Sequence, residues 1–298
     1  MADVKIVEVG LRDGLQNEPA TLSAEAKLEL IERLAGAGIK HLEVTSFVHP
    51  DWIPQLSDAD LVASSLPDLP VTYRALVPNR RGLERALKTG IDEVAVFMSA
   101  SETHNRKNIN KSIAETLPVL KEAVDLARQA GKRVRGYVST VFGCPYEGDV
   151  PLKTVAWLCE QLLAMGVYEI SLGDTIGVAA PGEVKQKLEE LLKVLPASRL
   201  AGHFHDTRGT GLANAYACLE AGVYTLDTSF GGLGGCPYAP GAAGNLATEE
   251  LVYMLERSGV KTGIDLDRLC EAGLYAQNLL NKPLSSKFLQ SYAAAKKN

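Results

Sequence analysis

The sequence predicts an α/β fold of the (β/α)8 TIM-barrel type, and three observations predict it. A helix-to-strand seam recurs five times, eight short strand-like runs alternate with helical ones, and 298 residues suit one barrel. The seam is an amphipathic stretch, a glycine and then a β-branched run. It falls at residues 32–39, 87–91, 128–132, 163–167 and 219–223, with Gly38, Gly90, Gly131, Gly166 and Gly222 where a helix should stop. Glycine takes the left-handed position after a helix without a Cβ clash, so the repeat has a physical cause.

In chain order, strands are expected near 4–10, 41–47, 71–77, 93–99, 133–140, 168–173, 199–204 and 224–230. The first helix opens at Ser23, a capping hydroxyl, with Glu25 in its first turn. It places Leu28, Ile31, Leu34 and Ala35 on one face. A later helix opens at Ser112, where Glu115 three residues on completes a capping box. Alternation implies a parallel sheet, and eight repeats suggest that it closes, with an open doubly wound sheet as the alternative. Residues from about 262 onward read as extra C-terminal helices within one catalytic domain spanning 1–298.

Composition removes several function classes. A net charge of −5 argues against a nucleic-acid partner, which would ask for a basic face. No stretch of about 18 apolar residues is present to span a membrane. The opening Met1-Ala2-Asp3-Val4-Lys5 lacks the apolar core of a signal peptide. Five cysteines cannot all pair within the chain and form no CxxC clip, so reduced thiols in the cytoplasm are expected.

In such a barrel the chemistry gathers where strands end. The seventh strand ends His203-Phe204-His205. Alternate residues share a face, so the two imidazoles project together, either as metal ligands or as a hydrogen-bonded pair. The first strand ends Gly10-Leu11-Arg12-Asp13-Gly14, where Asp13 completes a site with the histidines only if the chain turns. A surface ion pair is the alternative there. Glu43, in an otherwise apolar second strand, is expected to be buried and paired, with Arg12 as its partner. The eighth strand runs into Gly231-Gly232-Leu233-Gly234-Gly235-Cys236, a loop that either approaches a ligand or moves. Cys236 is a candidate acid or nucleophile; Cys144, in a similar Gly-Cys-Pro-Tyr setting, is the second choice. Cys159, Cys218 and Cys270 lie in helical patterns and read as buried thiols. Asn245 offers a hard amide oxygen, and Asp174 ends the sixth strand with a further carboxylate. After the fourth strand, Asn105-Arg106-Lys107-Asn108 is either a phosphate-meeting run or a solvated one. Two imidazoles with oxygen ligands suit a Mg²⁺ or Mn²⁺ class ion, which chelates substrate as a Lewis acid.

Five motifs together resemble the 3-hydroxy-3-methylglutaryl-CoA lyases, within the barrels named for an Asp-Arg-Glu set. They lie at 10–18, 43–50, 171–177, 203–207 and 232–245 and run nearly end to end. The resemblance implies cleavage of that acyl-CoA to acetyl-CoA and acetoacetate, as in leucine degradation, and a homodimer. It implies Asp13, His203, His205 and Asn245 as metal ligands and Arg12, held by Glu43, as the group that meets the thioester oxygen. It also implies Cys236 as proton donor, Asp174 beside the substrate hydroxyl, and Ser46, Ser171 and Thr207 as substrate contacts. Arg106 and Lys107 are candidate contacts for the coenzyme phosphates. Alternatives are a sibling lyase for a longer isoprenoid C3 substituent, a synthase running the reverse condensation, and a non-catalytic acyl-CoA-binding barrel. A barrel-type metal hydrolase would place its HxH pair at the first strand instead.

Overall fold

A computed structural model describes residues 3–235 and 244–296. Eight parallel strands close on themselves in sequence order, with the first hydrogen-bonded to the last, so the open-sheet alternative is excluded. They are β1 (Lys5–Glu8), β2 (His41–Ser46), β3 (Thr72–Leu76), β4 (Glu93–Ser99), β5 (Arg133–Ser139), β6 (Glu169–Asp174), β7 (Leu200–Phe204) and β8 (Thr225–Thr228). Each lies within a residue or two of its expected position.

The helices are α1 (Ala24–Gly36), α2 (Ala59–Ser64), α3 (Arg80–Ala86), α4 (Glu102–Ile109), α5 (Ile113–Gln129) and α6 (Leu152–Met165). They continue as α7 (Pro181–Leu191), α8 (Gly211–Glu220), α9 (Thr248–Arg257), α10 (Leu266–Leu280) and α11 (Lys287–Ala295). Ser23 caps α1 and the Ser112–Glu115 capping box opens α5, as the sequence predicts. The buried face of α1 differs from the expected one. Leu30 and Lys27 face inward with Ile31 and Leu34, while Leu28 and Ala35 are half-buried. Lys27 tolerates burial because its ammonium donates to Asp58 at 2.6 Å and to the Gln55 carbonyl at 2.6 Å.

Four seam glycines are left-handed, with φ of 100° at Gly38, 75° at Gly131, 102° at Gly166 and 88° at Gly222. Gly90 is not among the residues with positive φ. A Cβ at Gly90 would stand 3.4 Å from the Ala63 carbonyl, an ordinary contact, so neither handedness nor crowding requires glycine there.

The main apolar core lies between sheet and helices, with Leu42, Val94, Val134, Ile170 and Leu226 among its members. Inside the barrel the lower layers are polar. Arg74 donates to Glu93, and Arg135 to Glu169 and Asp227, all at 2.7–2.8 Å and all nearly inaccessible. At the other end, α10 and α11 support the glycine-rich segment after β8. Ser286 N–H donates to the Gly231 carbonyl at 3.0 Å, Ser285 donates to that of Gly232 at 2.9 Å, and Leu284 packs on Gly231. The C-terminal helices therefore fix the root of a loop at the barrel mouth. Among the described residues, no helix is long and apolar enough to cross a membrane.

Candidate active site and metal centre

The strand ends build a cavity of about 340 Å³ at the C-terminal mouth of the barrel. One wall is polar, with Arg12, Asp13, His203 and His205. Across it stand Leu76, Phe97 and Tyr137 from β3, β4 and β5. The cavity takes two adjacent residues from the first loop because the chain turns tightly there. Residues Gly10–Gly14 form a single π-helical turn, with Asp13 and Gly14 both donating to the Val9 carbonyl. Gly10 is required by contact, since a Cβ there would stand 2.6 Å from the Phe230 ring.

His203 and His205 share the inward face of the β7 end, while Phe204 points outward onto Phe142, with ring centroids 5.7 Å apart. Asn245 arrives from the far end of the glycine loop, paired antiparallel with His205. The Gly244 carbonyl accepts from Asp206 N–H at 3.0 Å and the Phe204 carbonyl from Leu246 N–H at 2.9 Å. Gly234, at φ 111°, leaves room for that amide, because a Cβ would stand 2.5 Å from Asn245 Nδ2.

Three electron-rich atoms converge. Asp13 Oδ2 lies 3.8 Å from His203 Nε2 and 3.9 Å from His205 Nε2, and the two imidazole nitrogens are 3.3 Å apart. Two ligands each about 2.1 Å from one ion stand at most about 4.2 Å apart, so all three spans are short enough for the atoms to share an ion. Asn245 Nδ2 donates to Asp13 Oδ2 at 2.9 Å, while its Oδ1 and His205 Nδ1 are buried with no hydrogen-bond partner among the described residues. A buried orphan amide oxygen and a converging carboxylate–imidazole set fit a hard divalent cation. A possible divalent-metal site of Asp13, His203 and His205 is thus present, with Asn245 beside it.

Electrostatics keep these groups in ligating form. Burial pushes the Asp13 carboxyl up, but Arg12 and then the two imidazoles outweigh it and hold it down at about 2. Burial, then His203, lowers His205 to about 4, so its ring stays neutral at physiological pH. Arg12 is bound on both sides: Nε donates to Glu43 Oε1 at 2.5 Å and Nη1 to Asp13. Burial would lower its pKa; Glu43 and Asp13 raise it well above the ordinary value instead. Glu43, fully buried, also accepts from the Tyr137 hydroxyl at 2.8 Å.

Other expected site residues divide. The β2–β3 register slips between Glu43 and Thr45, which sets Ser46 opposite Leu76 with a buried hydroxyl that has no partner among the described residues. Ser171 lies deeper, donating to Asp227 at 2.6 Å, and does not line the cavity. Gly173 pairs with His203 and lines the cavity, whereas Asp174 pairs with the outward-facing Phe204. Its oxygens accept from the Val178 and Ala179 N–H groups at 2.9 and 3.1 Å, shaping the loop rather than meeting the cavity. Burial raises its pKa. Thr207 packs beside Gly177, outside the cavity lining. In α4, His104 and Asn108 reach the cavity, whereas Arg106 is exposed and pairs with Glu102 at 2.9 Å. Lys107 covers the Tyr146 ring at 4.9 Å. Asn105 is structural, its oxygen accepting from Ser99 N–H at 3.0 Å. Cys236 lies outside the described residues, immediately after Gly235, which lines the cavity. Cys144 is buried and its sulfur contacts Ser101 Oγ at 3.0 Å, which leaves it a structural role in the loop it starts.

Sequence reasoning missed Tyr137, Phe97, Arg135 and Asp227. The alternation Arg133, Arg135, Tyr137, Ser139 along β5 carries a signal, since one face of that strand is wholly polar or amphipathic.

The HMGL-like family model matches residues 3–274. Hydroxymethylglutaryl-CoA lyase YngG of Bacillus subtilis (strain 168) is 54% identical to this chain, over 98% of each. A crystal structure of the Bacillus subtilis HMG-CoA lyase superposes with a TM-score of 0.96 at 54% identity, again covering 98% of each chain. An HMG-CoA lyase of Acinetobacter baumannii, solved in complex with coenzyme A and 3-methylmalate, gives a TM-score of 0.92 at 38% identity. That match covers 97% of this chain and 94% of the other.

Proposed function

The chain belongs to the HMGL-like family, and we infer from that membership and from the site that it cleaves 3-hydroxy-3-methylglutaryl-CoA to acetyl-CoA and acetoacetate. It is a carbon–carbon lyase with an acyl-CoA substrate. The observation that carries the reading is the convergence of Asp13, His203 and His205 within 3.3–3.9 Å of one another, directly beside a buried guanidinium.

The residues that would hold a Mg²⁺ or Mn²⁺ ion are Asp13, His203, His205 and Asn245. Bound there, such an ion supplies Lewis-acid polarisation to the substrate's hydroxyl and carboxylate oxygens, which makes the hydroxyl easier to deprotonate. The remaining work falls to the protein. As the C3 hydroxyl gives up its proton to solvent and the C2–C3 bond breaks, that bond's electrons move onto the thioester, C3 becomes the ketone of acetoacetate, and negative charge builds on the thioester oxygen. Arg12 is placed to meet that charge, and its fixed geometry favours the transition state over the ground state. Glu43 positions Arg12 and does no proton transfer. Cys236, next in sequence to a cavity residue, is suited to returning a proton to C2 and completing acetyl-CoA. Ser46, whose buried hydroxyl lies at the β2 end outside the cavity lining, is a substrate contact in this reading, and Arg106 and Lys107, on the helix whose His104 and Asn108 line the cavity, would meet the coenzyme phosphates. Residues 1–298 act as one catalytic domain, paired as a homodimer. A cytoplasmic setting suits the four described cysteines, which are buried and unpaired.

Incubation of the protein with HMG-CoA and Mg²⁺ or Mn²⁺ should release acetoacetate and acetyl-CoA in equal amounts, and EDTA should abolish both. Failure of the metal-loaded protein to cleave this thioester would overturn the reading.

A further inference from the structure

Several buried side chains that line neither the ion's position nor, for the most part, the cavity connect the two ends of the site. His203 Nδ1 faces Asp227 Oδ2 at 3.2 Å. Asp227 accepts from Arg135 at 2.8 and 3.1 Å and from the Ser171 hydroxyl at 2.6 Å. Arg135 also donates to the Tyr137 hydroxyl at 2.9 Å, and that hydroxyl donates to Glu43 Oε2 at 2.8 Å. Glu43 accepts from Arg12, and Arg12 donates to Asp13. The path thus returns to within 3.8 Å of its start, at the span from Asp13 Oδ2 to His203 Nε2. That span is too long for a hydrogen bond but lies within the roughly 4 Å that two ligands of one ion can span.

The position of Asp227 has a chemical consequence for His203. A carboxylate held across a guanidinium is an acceptor only, so the nitrogen facing it must carry the proton. With Nδ1 donating, the Nε2 lone pair is left aimed at Asp13 and His205. Without that acceptor a neutral imidazole is free to protonate Nε2, and that tautomer cannot ligate. Arg135 holds both oxygens of Asp227 and Ser171 holds the one that faces His203, so the carboxylate cannot turn away. On the far side, Tyr137 and Arg12 grip the two oxygens of Glu43, which fixes the guanidinium's direction.

We propose that Asp227, held by Arg135 and Ser171, is a positioning residue that selects the metal-ligating tautomer of His203. In the same network, the Arg135–Tyr137–Glu43 path positions Arg12, and the cation closes a continuous ring. This rests on the metal site proposed above. An Arg135–Asp227 ion pair serving stability alone would need neither the histidine contact nor the tyrosine link.

The test is Mn²⁺ affinity of the metal-stripped full chain, read as free Mn²⁺ by electron paramagnetic resonance, beside steady-state kinetics at saturating Mn²⁺. Asp227→Asn keeps the shape and one acceptor oxygen but loses the charge, and its Mn²⁺ Kd should rise about 10- to 100-fold. Excess Mn²⁺ should restore much of its turnover. Tyr137→Phe cuts the ring at the other side; it should lower kcat about 10-fold while Kd for Mn²⁺ and KM stay within about threefold. Should Asp227→Asn fail to fold, Ser171→Ala frees one side of the same carboxylate, and its Kd should rise about threefold or more. Wild-type Mn²⁺ affinity in the folded Asp227 variant, or in Ser171→Ala where that variant is used instead, would overturn the proposal. Unchanged kcat in Tyr137→Phe would overturn the link to Arg12. A wild-type protein that binds Mn²⁺ yet leaves HMG-CoA intact would instead sink the substrate reading, since the affinity comparison needs no substrate.

Discussion

Replacing Glu249 by Gln should change how stability depends on pH, because this carboxyl is buried where it supports the active-site loop. Glu249 stands in the first turn of α9, fully buried, and accepts the Gly231 N–H with both oxygens at 2.8 and 3.0 Å. Glu8, also buried, accepts from the neighbouring Phe230 N–H at 3.0 Å and from Gly10 N–H at 2.7 Å. Burial raises Glu249 to about 8 from 4.5, with Glu8 adding to the rise, and burial raises Glu8 to about 7. A carboxyl whose folded pKa exceeds its unfolded one binds a proton on folding. Its contribution to stability is greatest below the unfolded value and declines as pH climbs through the folded one. For Glu249 the decline between pH 6 and 9 is about 2.5 kcal/mol, or about 5 °C in Tm for a chain of this length. Glutamine keeps a carbonyl for Gly231 and removes the titration. Thermal unfolding at pH 6 and at pH 9 should therefore show a markedly smaller loss in Glu249→Gln than in the parent, even if the variant is less stable at pH 6. Parallel losses in the two proteins would refute the reasoning.

Two further outcomes follow from the cavity. Arg12→Gln should lower kcat by about 10³-fold, as loss of a fixed oxyanion donor does, while Mn²⁺ affinity falls less than threefold; near-normal turnover would remove Arg12 from the reaction. Leu76, Ala95, Tyr137 and Phe97 form the apolar patch facing the metal wall, which suits a C3 methyl group. Phe97→Ala should therefore raise kcat/KM for a thioester with a longer isoprenoid C3 substituent relative to HMG-CoA by about tenfold, on the scale of a few buried methylenes. A ratio unchanged in that competition assay would place the C3 group elsewhere.

The parts of this site that were legible in the sequence are those set by short-range rules. His203 and His205 follow from the two-residue period of a strand, and Ser112 with Glu115 from a cap three residues long. Asp174 obeys the same period, which sets it opposite Phe204 while Gly173 stands opposite His203. Gly90 matched the seam in composition, yet nothing local distinguishes a glycine needed for left-handed backbone from one whose backbone is not left-handed. Arg135 and Asp227 are 92 residues apart and meet only because β5 and β8 face each other across a closed barrel. Their pairing depends on strand register and tilt, which no short window of sequence contains.

That long-range pairing also bears on which substrate the site suits. The ring contains three carboxylates, Asp13, Glu43 and Asp227, against two guanidiniums, Arg12 and Arg135, while Glu169, which also pairs with Arg135, is offset by Lys5. With the imidazoles neutral, as ligation requires, the buried cluster carries one net negative charge, and buried charge is stable only when compensated. A divalent ion turns that balance to one positive charge. A thioester alone brings no charge to offset it, whereas an acyl group ending in a free carboxylate neutralises the site. The cluster therefore favours 3-hydroxyglutaryl-type acyl chains over simple fatty acyl-CoA, with Asp227 setting the residual charge at one so that a single substrate carboxylate balances it.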